Sequence, residues 1–236
     1  MTRIPIWATI CATLRAEIAG GSYRPGDRLP TEAQLAARFG VNRHTVRRAI
    51  AGMAEAGLVQ SRRGAGVFVT TVPTEYPLGR RVRFHQNVLD TGRAPSRQIL
   101  RMEMRAASGD EAEGLGVPPG HPVHLIEGIS LVDGVPVALF QSVFPADRFP
   151  HLQGAVGRLH SITLALAEGG VADYTRASTR LTATVADAVQ ALHLRIAPAA
   201  PLLRSVTVNV DAKGGHVEFG MTWFVGDRVT LTVKPD

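Results

Sequence analysis

Two short stretches of helical periodicity, separated by a glycine, constrain the fold of this 236-residue chain more than any other feature. The first follows Thr31, and Gln34 stands at the spacing where a cap side chain and the third helical residue satisfy each other's backbone amides. Gly40 marks a tight corner, and Asn42 is a strong cap for the second helix. The apolar residues predicted to face inward from that second helix are Val46, Ala49, Ile50 and Met53. The pattern predicts two short helices joined by a tight turn.

An amphipathic helix is predicted before this pair, and a hairpin after it. Trp7, Ile10, Leu14 and Ile18 recur at helical spacing before Gly20-Gly21 breaks the pattern. The same segment resembles a secretory signal, but charged residues on its opposite face favour the helix. Strands are predicted over 58–62 and 67–70, joined by Arg63-Gly64-Ala65-Gly66. This hairpin would form a wing tipped with arginine and glycine.

Basic charge is confined to the N-terminal part of the chain. Residues 1–70 hold ten arginines and four acidic residues, so their net charge of +6 equals that of the whole chain. A basic head on a neutral body indicates a polyanionic partner for the head alone. The second helix of the pair is predicted to expose Asn42, Arg43, Thr45, Arg47 and Arg48 near its N-terminal end. A helix-turn-helix inserts that end into the major groove of DNA.

Composition and motifs exclude several classes of protein. No stretch approaches the roughly 18 consecutive apolar residues that a membrane span requires. The single cysteine, Cys11, cannot form an intramolecular disulfide. We therefore expect a cytoplasmic location. His121 and His124 form an HxxH in a proline-rich turn without a third ligand at metal spacing. No nucleophile motif is present. We therefore expect no catalytic residue, metal or cofactor.

The body of the chain is predicted to be an antiparallel sheet with helices packed against it. Residues 71–79, with Pro73 and Pro77, are predicted to be a linker. Asp133-Gly134 is the strongest hairpin signal. A strand is predicted around Leu100 to Ala106, and a short helix after Ser108. The remaining predicted elements are helices over 161–168 and 184–194, and strands over 124–132, 135–144, 174–184, 202–211, 216–225 and 228–233.

The N-terminal motifs resemble the winged helix of GntR-type bacterial repressors. The motifs are LPTE at 29–32, VNRHTVR at 41–47, GLV at 57–59 and GAGVFV at 64–69. In that family, residues matching Arg43, Thr45, Arg47, Arg63 and Gly64 touch operator DNA. With Thr31, Asn42, Arg48 and Arg62, these residues form the candidate DNA-binding set.

The body resembles the UTRA effector-binding domain of the HutC branch of that family, which implies an α+β, chorismate-lyase-like fold. The motifs are DGVPVA at 133–138, PLLR at 201–204, VEFG at 217–220 and GDR at 226–228. RFHQNVLD at 83–90, LHSIT at 159–163 and DYTR at 173–176 are similar to regulators of phosphonate-utilisation operons. The resemblance implies a small-molecule effector, a phosphonate or a related anion.

The resemblance also places the effector pocket between the sheet and the loop after the linker. Sugar-phosphate-sensing relatives grip phosphate with two arginines, but Gly128 and Ser130 stand at those positions here, and Phe140 replaces a glutamate. An anion must therefore be held otherwise, by charge-assisted or neutral hydrogen-bond donors. The candidate effector residues are Arg83, Phe84, His85, Gln86, Asn87, Ser130, Ser161, Thr163, Tyr174, Arg176 and Glu218, the last for an amine on the ligand.

Together these features predict a homodimeric transcription factor, most simply a repressor. Residues 1–70 would bind operator DNA, 71–79 would link, and 80–236 would bind the effector and dimerise. Two alternatives stay open: a HutC-type sensor of a sugar phosphate or of an organic or amino-acid catabolite, and an enzyme that uses the chorismate-lyase-like pocket.

Overall fold

The computed structural model describes residues 5–62, 64–70, 73–80 and 84–233, and the chain divides into two compact units. The first unit ends at Val72, and the second begins at Pro73. None of the helices in these described ranges is long and apolar enough to cross a membrane.

Three helices and a hairpin build the first unit. Its elements are α1 (Ile6–Ala19), α2 (Glu32–Phe39), α3 (Arg43–Glu55), β1 (Val59–Arg62) and β2 (Gly66–Val69). Thr31 and Gln34 form the predicted capping box of α2, and Gly40 ends that helix with a φ of 64°. The Asn42 side chain accepts a hydrogen bond from the Thr45 backbone at 2.8 Å and so starts α3. The predicted helix pair is confirmed, and both wing strands begin within one residue of the prediction.

The core of the first unit lies where α1 and α3 cross and the hairpin closes over them. All four residues predicted on the inner face of α3 are buried, together with Ile10, Leu14 and Leu35. Val59 and Val69 from the paired strands complete this core. Because the apolar face of α3 is buried here, Arg43 and Arg47 on its other side are exposed to solvent.

The second unit contains five helices and eight strands within the described residues. The helices are α4 (Phe84–Leu89), α5 (Gly109–Leu115), α6 (Leu152–Leu159), α7 (Ile162–Glu168) and α8 (Ala188–Leu194). The strands are β3 (Thr74–Pro77), β4 (Pro95–Ala106), β5 (Pro122–Val132), β6 (Val135–Pro145), β7 (Tyr174–Val185), β8 (Pro201–Asp211), β9 (His216–Val225) and β10 (Val229–Thr232).

Six of these strands form one antiparallel sheet in the order β4-β5-β6-β9-β8-β7. Asp133 and Gly134 both have positive φ and join β5 to β6, as the hairpin signal predicted. The predicted α+β class with an antiparallel sheet is confirmed.

Helices cover both faces of this sheet. On one face, α6 and α7 pack Leu152, Val156 and Leu166 against Ile126 and Phe140. On the other face, α5 and α8 cover separate regions of the sheet. Neighbouring residues in a strand point to opposite faces, so Leu125, which packs with α5, and Ile126 belong to different cores.

The prediction that 71–79 is a linker is wrong for residues 74–77. They form β3, which pairs in parallel with β10 in a separate two-stranded sheet. Thr74 and Tyr76 are buried, and Pro77 lies at the end of the strand, where a missing N–H is tolerated. Proline therefore bounds this strand rather than excluding it. The strand predicted over 228–233 is present as β10, but it pairs in parallel with β3 and is not part of the antiparallel sheet.

One further boundary and the burial of one strand differ from the predictions. The helix predicted over 184–194 begins only after Asp187, whose side chain accepts from the Gln190 backbone at 2.7 Å, whereas Thr184 still belongs to β7. Asp187 is thus the cap itself. The strand through Leu100 and Met104 is confirmed, but its apolar side chains are exposed, Met104 by 65%. It lies at the edge of the sheet, where packing covers less of each strand.

Candidate functional site

The N-terminal turn of α3 presents a polar and basic surface. Asn42, Arg43 and Arg47 are exposed there, and Thr45 is half-buried. Asn42 Oδ1 also accepts from Thr45 Oγ1 at 2.9 Å, so the cap orients both side chains. Thr31 has a similar local role, since its hydroxyl donates to Gln34 Oε1 at 3.0 Å. These contacts fix the backbone from which Arg43 projects.

Arg47 forms an ion pair with Glu32 of α2. Its Nε donates to Glu32 Oε1 at 3.0 Å, and its Nη2 donates to Glu32 Oε2 at 2.7 Å. The hydrogen bond from Arg47 is the main cause that lowers the pKa of Glu32 below its usual value. This two-pronged pair links α3 to α2 and sets the direction of the Arg47 guanidinium.

Two other predicted arginines lie on aromatic rings. The Arg48 guanidinium is 4.9 Å from the centre of the Trp7 ring, and that of Arg62 is 4.6 Å from the centre of the Phe68 ring. Such stacking restricts each side chain while leaving N–H donors at the rim of the ring. Arg48 lies on α3, and Arg62 ends the first strand of the hairpin.

The hairpin turn is shaped by glycine, and an additional arginine lies beneath it. Gly64 and Gly66 both have positive φ. A Cβ at Gly66 would lie 2.7 Å from Nε of Arg28, which shows how closely that guanidinium approaches the hairpin. Sequence reasoning missed Arg28, because its proximity depends on a backbone bridge to Phe68 far along the chain. Arg63, a predicted contact, lies outside the described residues.

A cavity of about 60 Å³ opens on the sheet face of the second unit that α4 and β3 flank. The lining residues are Tyr76, Leu78, Phe84, Arg97, Ser130, Phe140, Ser142, Arg176, Ser205, Thr207, Asn209, Glu218, Gly220, Thr222 and Phe224. The cavity thus combines aromatic walls with polar groups.

Two arginines bring positive charge to the lining of this cavity. The Arg97 guanidinium is 5.4 Å from the centre of the Phe84 ring and 4.9 Å from that of Phe140. Arg176 donates from Nη1 to the Gly79 carbonyl at 3.2 Å, and its Nε is buried without a hydrogen-bond partner among the described residues. Burial raises the pKa of the neighbouring Tyr76 phenol, and the two arginines partly oppose that shift.

A buried acceptor pair faces the same cavity. Glu218 is 8% exposed and Asn209 is 1% exposed. The Asn209 amide donates to Glu218 Oε2 at 2.8 Å, which directs Asn209 Oδ1 away from the carboxylate. Within the described part of the chain that Oδ1 has no hydrogen-bond partner.

Four of the candidate effector residues line the cavity, namely Phe84, Ser130, Arg176 and Glu218. Other candidates lie away from the lining. His85 and Gln86 are exposed on α4, where Gln86 donates to Asp90, and Asn87 donates to the Pro77 carbonyl at 3.4 Å. Ser161 caps α7, and Thr163 hydrogen-bonds to the buried Tyr174 phenol, whose pKa is raised mainly by burial. Arg83 lies outside the described residues.

Arg97 and Asn209 are the charged and amide residues of the lining that sequence reasoning missed. Asn209 stands between Val208 and Val210 in a strand, and a lone amide in such a setting is a usable signal. Arg97 had no such signal, because a register shift between Ile99 and Arg101 determines which face of β4 it occupies.

The two histidines of the HxxH motif have different partners. His121 pairs with Asp147 at 3.0 Å, whereas His124 is buried, with Nε2 3.0 Å from the Phe149 carbonyl. Among the residues that the structure describes, no group of three or more His, Cys, Asp or Glu side chains could hold a metal ion.

The basic winged helix and the cavity of the second unit together define a DNA-binding transcriptional regulator with a domain that binds a small molecule. The model of the "Bacterial regulatory proteins, gntR family" matches residues 7–69, and that of the UTRA domain matches residues 90–230. The chain therefore belongs to the GntR family, with the winged-helix and UTRA architecture of its HutC branch.

Individual relatives agree with this assignment. The chain is 38% identical to "Uncharacterized HTH-type transcriptional regulator RB1450" of Rhizobium meliloti (strain 1021), over 98% of this chain and 95% of the relative. It is 39% identical to "Probable transcriptional regulator PhnF" of Escherichia coli (strain K12), over 95% and 93%. The crystal structure of PhnF from Mycobacterium smegmatis superposes with a TM-score of 0.67 at 28% identity, covering 96% of this chain and 99% of that one. The relatives are transcriptional regulators, so the enzyme alternative is not supported.

Proposed function

We propose that the chain acts in the cytoplasm as a homodimeric repressor whose operator affinity is controlled by an effector of phosphonate metabolism or a related anion. Residues 1–70 would contact DNA, and residues 80–236 would bind the effector and dimerise. The single observation that carries the DNA-binding half is the exposed position of Arg43 at the start of α3, next to the cap residue Asn42.

The proposed DNA contacts follow from position on this surface. Arg43 is exposed at the helix end that enters the major groove, and we assign it and Arg47 to guanine edges or adjacent phosphates. Thr45 and Arg48 would contact the backbone. The wing residues Arg62, Arg63 and Gly64 would approach phosphate or the minor groove.

The cavity supports the effector half of the proposal. Guanidinium groups are the side chains best suited to planar or tetrahedral acids, and Arg97 and Arg176 both line the cavity. Ser130 stands where sugar-phosphate-sensing relatives carry an arginine, so Arg97 would take over part of that task from the neighbouring strand. The effector controls the operator only if it binds one arrangement of the dimer more tightly than the other.

Exposed apolar side chains support dimerisation through the second unit. Val189 and Leu192 lie three residues apart on α8, on the same side of that helix, and are 62% and 75% exposed. Large apolar side chains exposed together on a helix are typical of an interaction surface.

Two experiments with the full chain test these halves separately. Selection of bound DNA from a pool of random duplexes should yield a two-fold symmetric consensus with half-sites about one helical turn apart. A consensus without symmetry, or none, would contradict the proposed dimer on DNA. Melting temperatures measured with alkylphosphonates, sugar phosphates, phosphate esters and carboxylates should rise with the effector class, because a ligand of the folded state stabilises it by mass action. A response to sugar phosphates or carboxylates alone would replace the phosphonate assignment by the alternative sensor.

A further inference from the structure

We propose that Arg28 and Arg62 form a phosphate-binding site on the outer face of the wing hairpin, over the backbone of Gly66, and that its ligand is the phosphate backbone of duplex DNA. The wing hairpin is the pair β1 and β2, and its outer face is the one turned away from the core of the first unit. This inference rests on the proposal that the first unit contacts operator DNA, and it adds Arg28 to that interface.

A short segment before α2 pairs with the hairpin and brings Arg28 to its outer face. The Leu29 N–H donates to the Val67 carbonyl at 2.8 Å, and Arg28 forms a backbone bridge with Phe68. Leu29 is buried in the core, and neighbouring residues of an extended segment point to opposite faces. Arg28 therefore lies on the outer face, where it is exposed to solvent.

Arg62 reaches the same face from the other side of β2. Val59 and Val69 pair on the core side of the hairpin. Arg62 and Gly66 pair with each other three residues away from them, so they lie on the outer side. Because β2 lies between β1 and the segment of Arg28, the two arginines flank β2.

The two guanidiniums lie over neighbouring positions of β2. A Cβ on Gly66 would be 2.7 Å from Nε, 3.2 Å from Nη2 and 3.3 Å from Cζ of Arg28. The Arg28 guanidinium thus occupies the space that a side chain at residue 66 would fill. The Arg62 guanidinium is 4.6 Å from the centre of the Phe68 ring. Residues two positions apart in a strand are about 6.5 Å apart, so one stretch of DNA backbone can contact both arginines.

Arg28 lacks an anionic partner among the described residues. It forms no ion pair with them, and the adjacent Asp27 carboxylate instead accepts from the Arg24 backbone N–H at 2.8 Å. Arg28 thus has a second guanidinium nearby and no described acceptor. A phosphate oxygen supplies that acceptor, and hydrogen bonds between guanidinium and phosphate are among the strongest in proteins.

The exposure of the site favours the DNA backbone over a free anion. The site joins the segment before α2 to the hairpin after α3, so both of its parts adjoin the helix pair that presents Arg43. A polyanion that binds an exposed arginine also releases condensed counterions, a gain that a free phosphate lacks. Phosphate contacts position a protein on the duplex without reading its sequence.

Salt titrations of the full chain on the selected operator duplex test this site. Arg28→Gln should reduce the slope of log K against log salt by about 0.9 for each first unit that loses a phosphate contact. Arg28→Lys keeps the charge and should keep the slope. Arg15→Gln makes the same change on the exposed side of α1 and is the matched control. Fluorescence anisotropy measures the affinities.

A phosphate contact also predicts an equal loss on every sequence. Arg28→Gln should weaken binding to the operator and to a scrambled duplex by the same factor, whereas Arg43→Ala should weaken binding to the operator more. Melting temperatures of the same variants show whether the first unit stays folded.

Three outcomes overturn the inference. A slope in Arg28→Gln equal to that of the parent, with or without a lower melting temperature, would make Arg28 a structural residue of the hairpin. A loss confined to the operator would assign Arg28 to a base instead of a phosphate. In both cases the parent still binds DNA, so the proposed function stands. A parent without salt-dependent DNA binding would overturn the proposed function together with this site.

Discussion

Arg47 and Glu32 form a two-pronged ion pair that joins α3 to α2, with N–O distances of 3.0 Å and 2.7 Å. The carboxylate thus offsets one of the arginines on the surface that we assign to DNA. Arg43, at the start of α3, is exposed and forms no ion pair with the described residues. This difference between two neighbouring arginines leads to the first two predictions.

Glu32→Gln should make DNA binding more sensitive to salt. Without the carboxylate, Arg47 is released toward phosphate, and each added phosphate contact steepens the slope of log K against log salt by about 0.9. Fluorescence anisotropy with an operator duplex over a salt series measures this slope. Glu55→Gln, at the other end of α3, removes an equal charge and serves as the control. Equal slopes in both variants and the parent would place Arg47 away from DNA.

Arg43→Ala should weaken operator binding strongly and leave the fold intact. Loss of a bidentate base contact costs about 1–3 kcal/mol, which corresponds to about 5- to 150-fold in affinity. Arg15→Ala, on the exposed side of α1, should have little effect and is the matched control. Anisotropy gives the affinity, and sedimentation shows whether the oligomeric state persists. Unchanged affinity in Arg43→Ala would remove this residue from the interface.

Gly128→Ala should destabilise the second unit. A Cβ there would lie 2.5 Å from the Gln98 carbonyl oxygen and 2.7 Å from the Phe140 ring, and such overpacking costs about 1–3 kcal/mol. Gly154 lies in α6 with open space around it, so Gly154→Ala should instead stabilise by up to about 1 kcal/mol. Urea unfolding of both variants measures the two effects. Similar effects of the same sign would contradict the close contacts described around Gly128.

His124→Gln should reduce the loss of stability on mild acidification. Burial lowers the pKa of His124 below 6.5, partly opposed by its hydrogen bond to the Phe149 carbonyl. Below pH 6.5, His124 therefore takes up a proton more readily in the unfolded chain than in the folded unit. The contribution of His124 to the free energy of unfolding falls as the pH falls below 6.5 and is constant above it. Glutamine keeps an N–H donor without titrating.

Unfolding at about pH 7.5 and about pH 5.5 tests this dependence. The chain has two tryptophans, Trp7 in the first unit and Trp223 in the second, so a Trp7→Phe background assigns the fluorescence to the second unit. The Trp7→Phe protein that retains His124 is the reference for the double variant. An unaltered dependence in His124→Gln would assign the effect to other groups.

Local signals predicted most of the element boundaries. The capping pair Thr31 and Gln34, the cap Asn42 and the Asp133-Gly134 turn each act within four residues, so the sequence alone is sufficient to place them. The exposed face of α3 followed from the same periodicity that defines its buried face.

The cavity could be predicted only in part because it depends on strand register. Shifts between Ile99 and Arg101 and between Asn209 and Val210 change which side chains share a face. Arg97 reaches the cavity only because of this strand pairing. The close approach of Phe140 to Gly128 depends on strand pairing in the same way. The family resemblance indicated that the usual arginines are absent, but it did not indicate their replacement.

The parallel pairing of Thr74 with Val229 has a consequence for the order of folding during synthesis. At about 5–20 residues per second, β3 leaves the ribosome roughly 8 to 30 s before its partner strand is made. The first unit, whose strands end at Val69, is complete well before that. In a nascent chain the DNA-binding unit can therefore fold early, whereas the effector-binding unit is completed last.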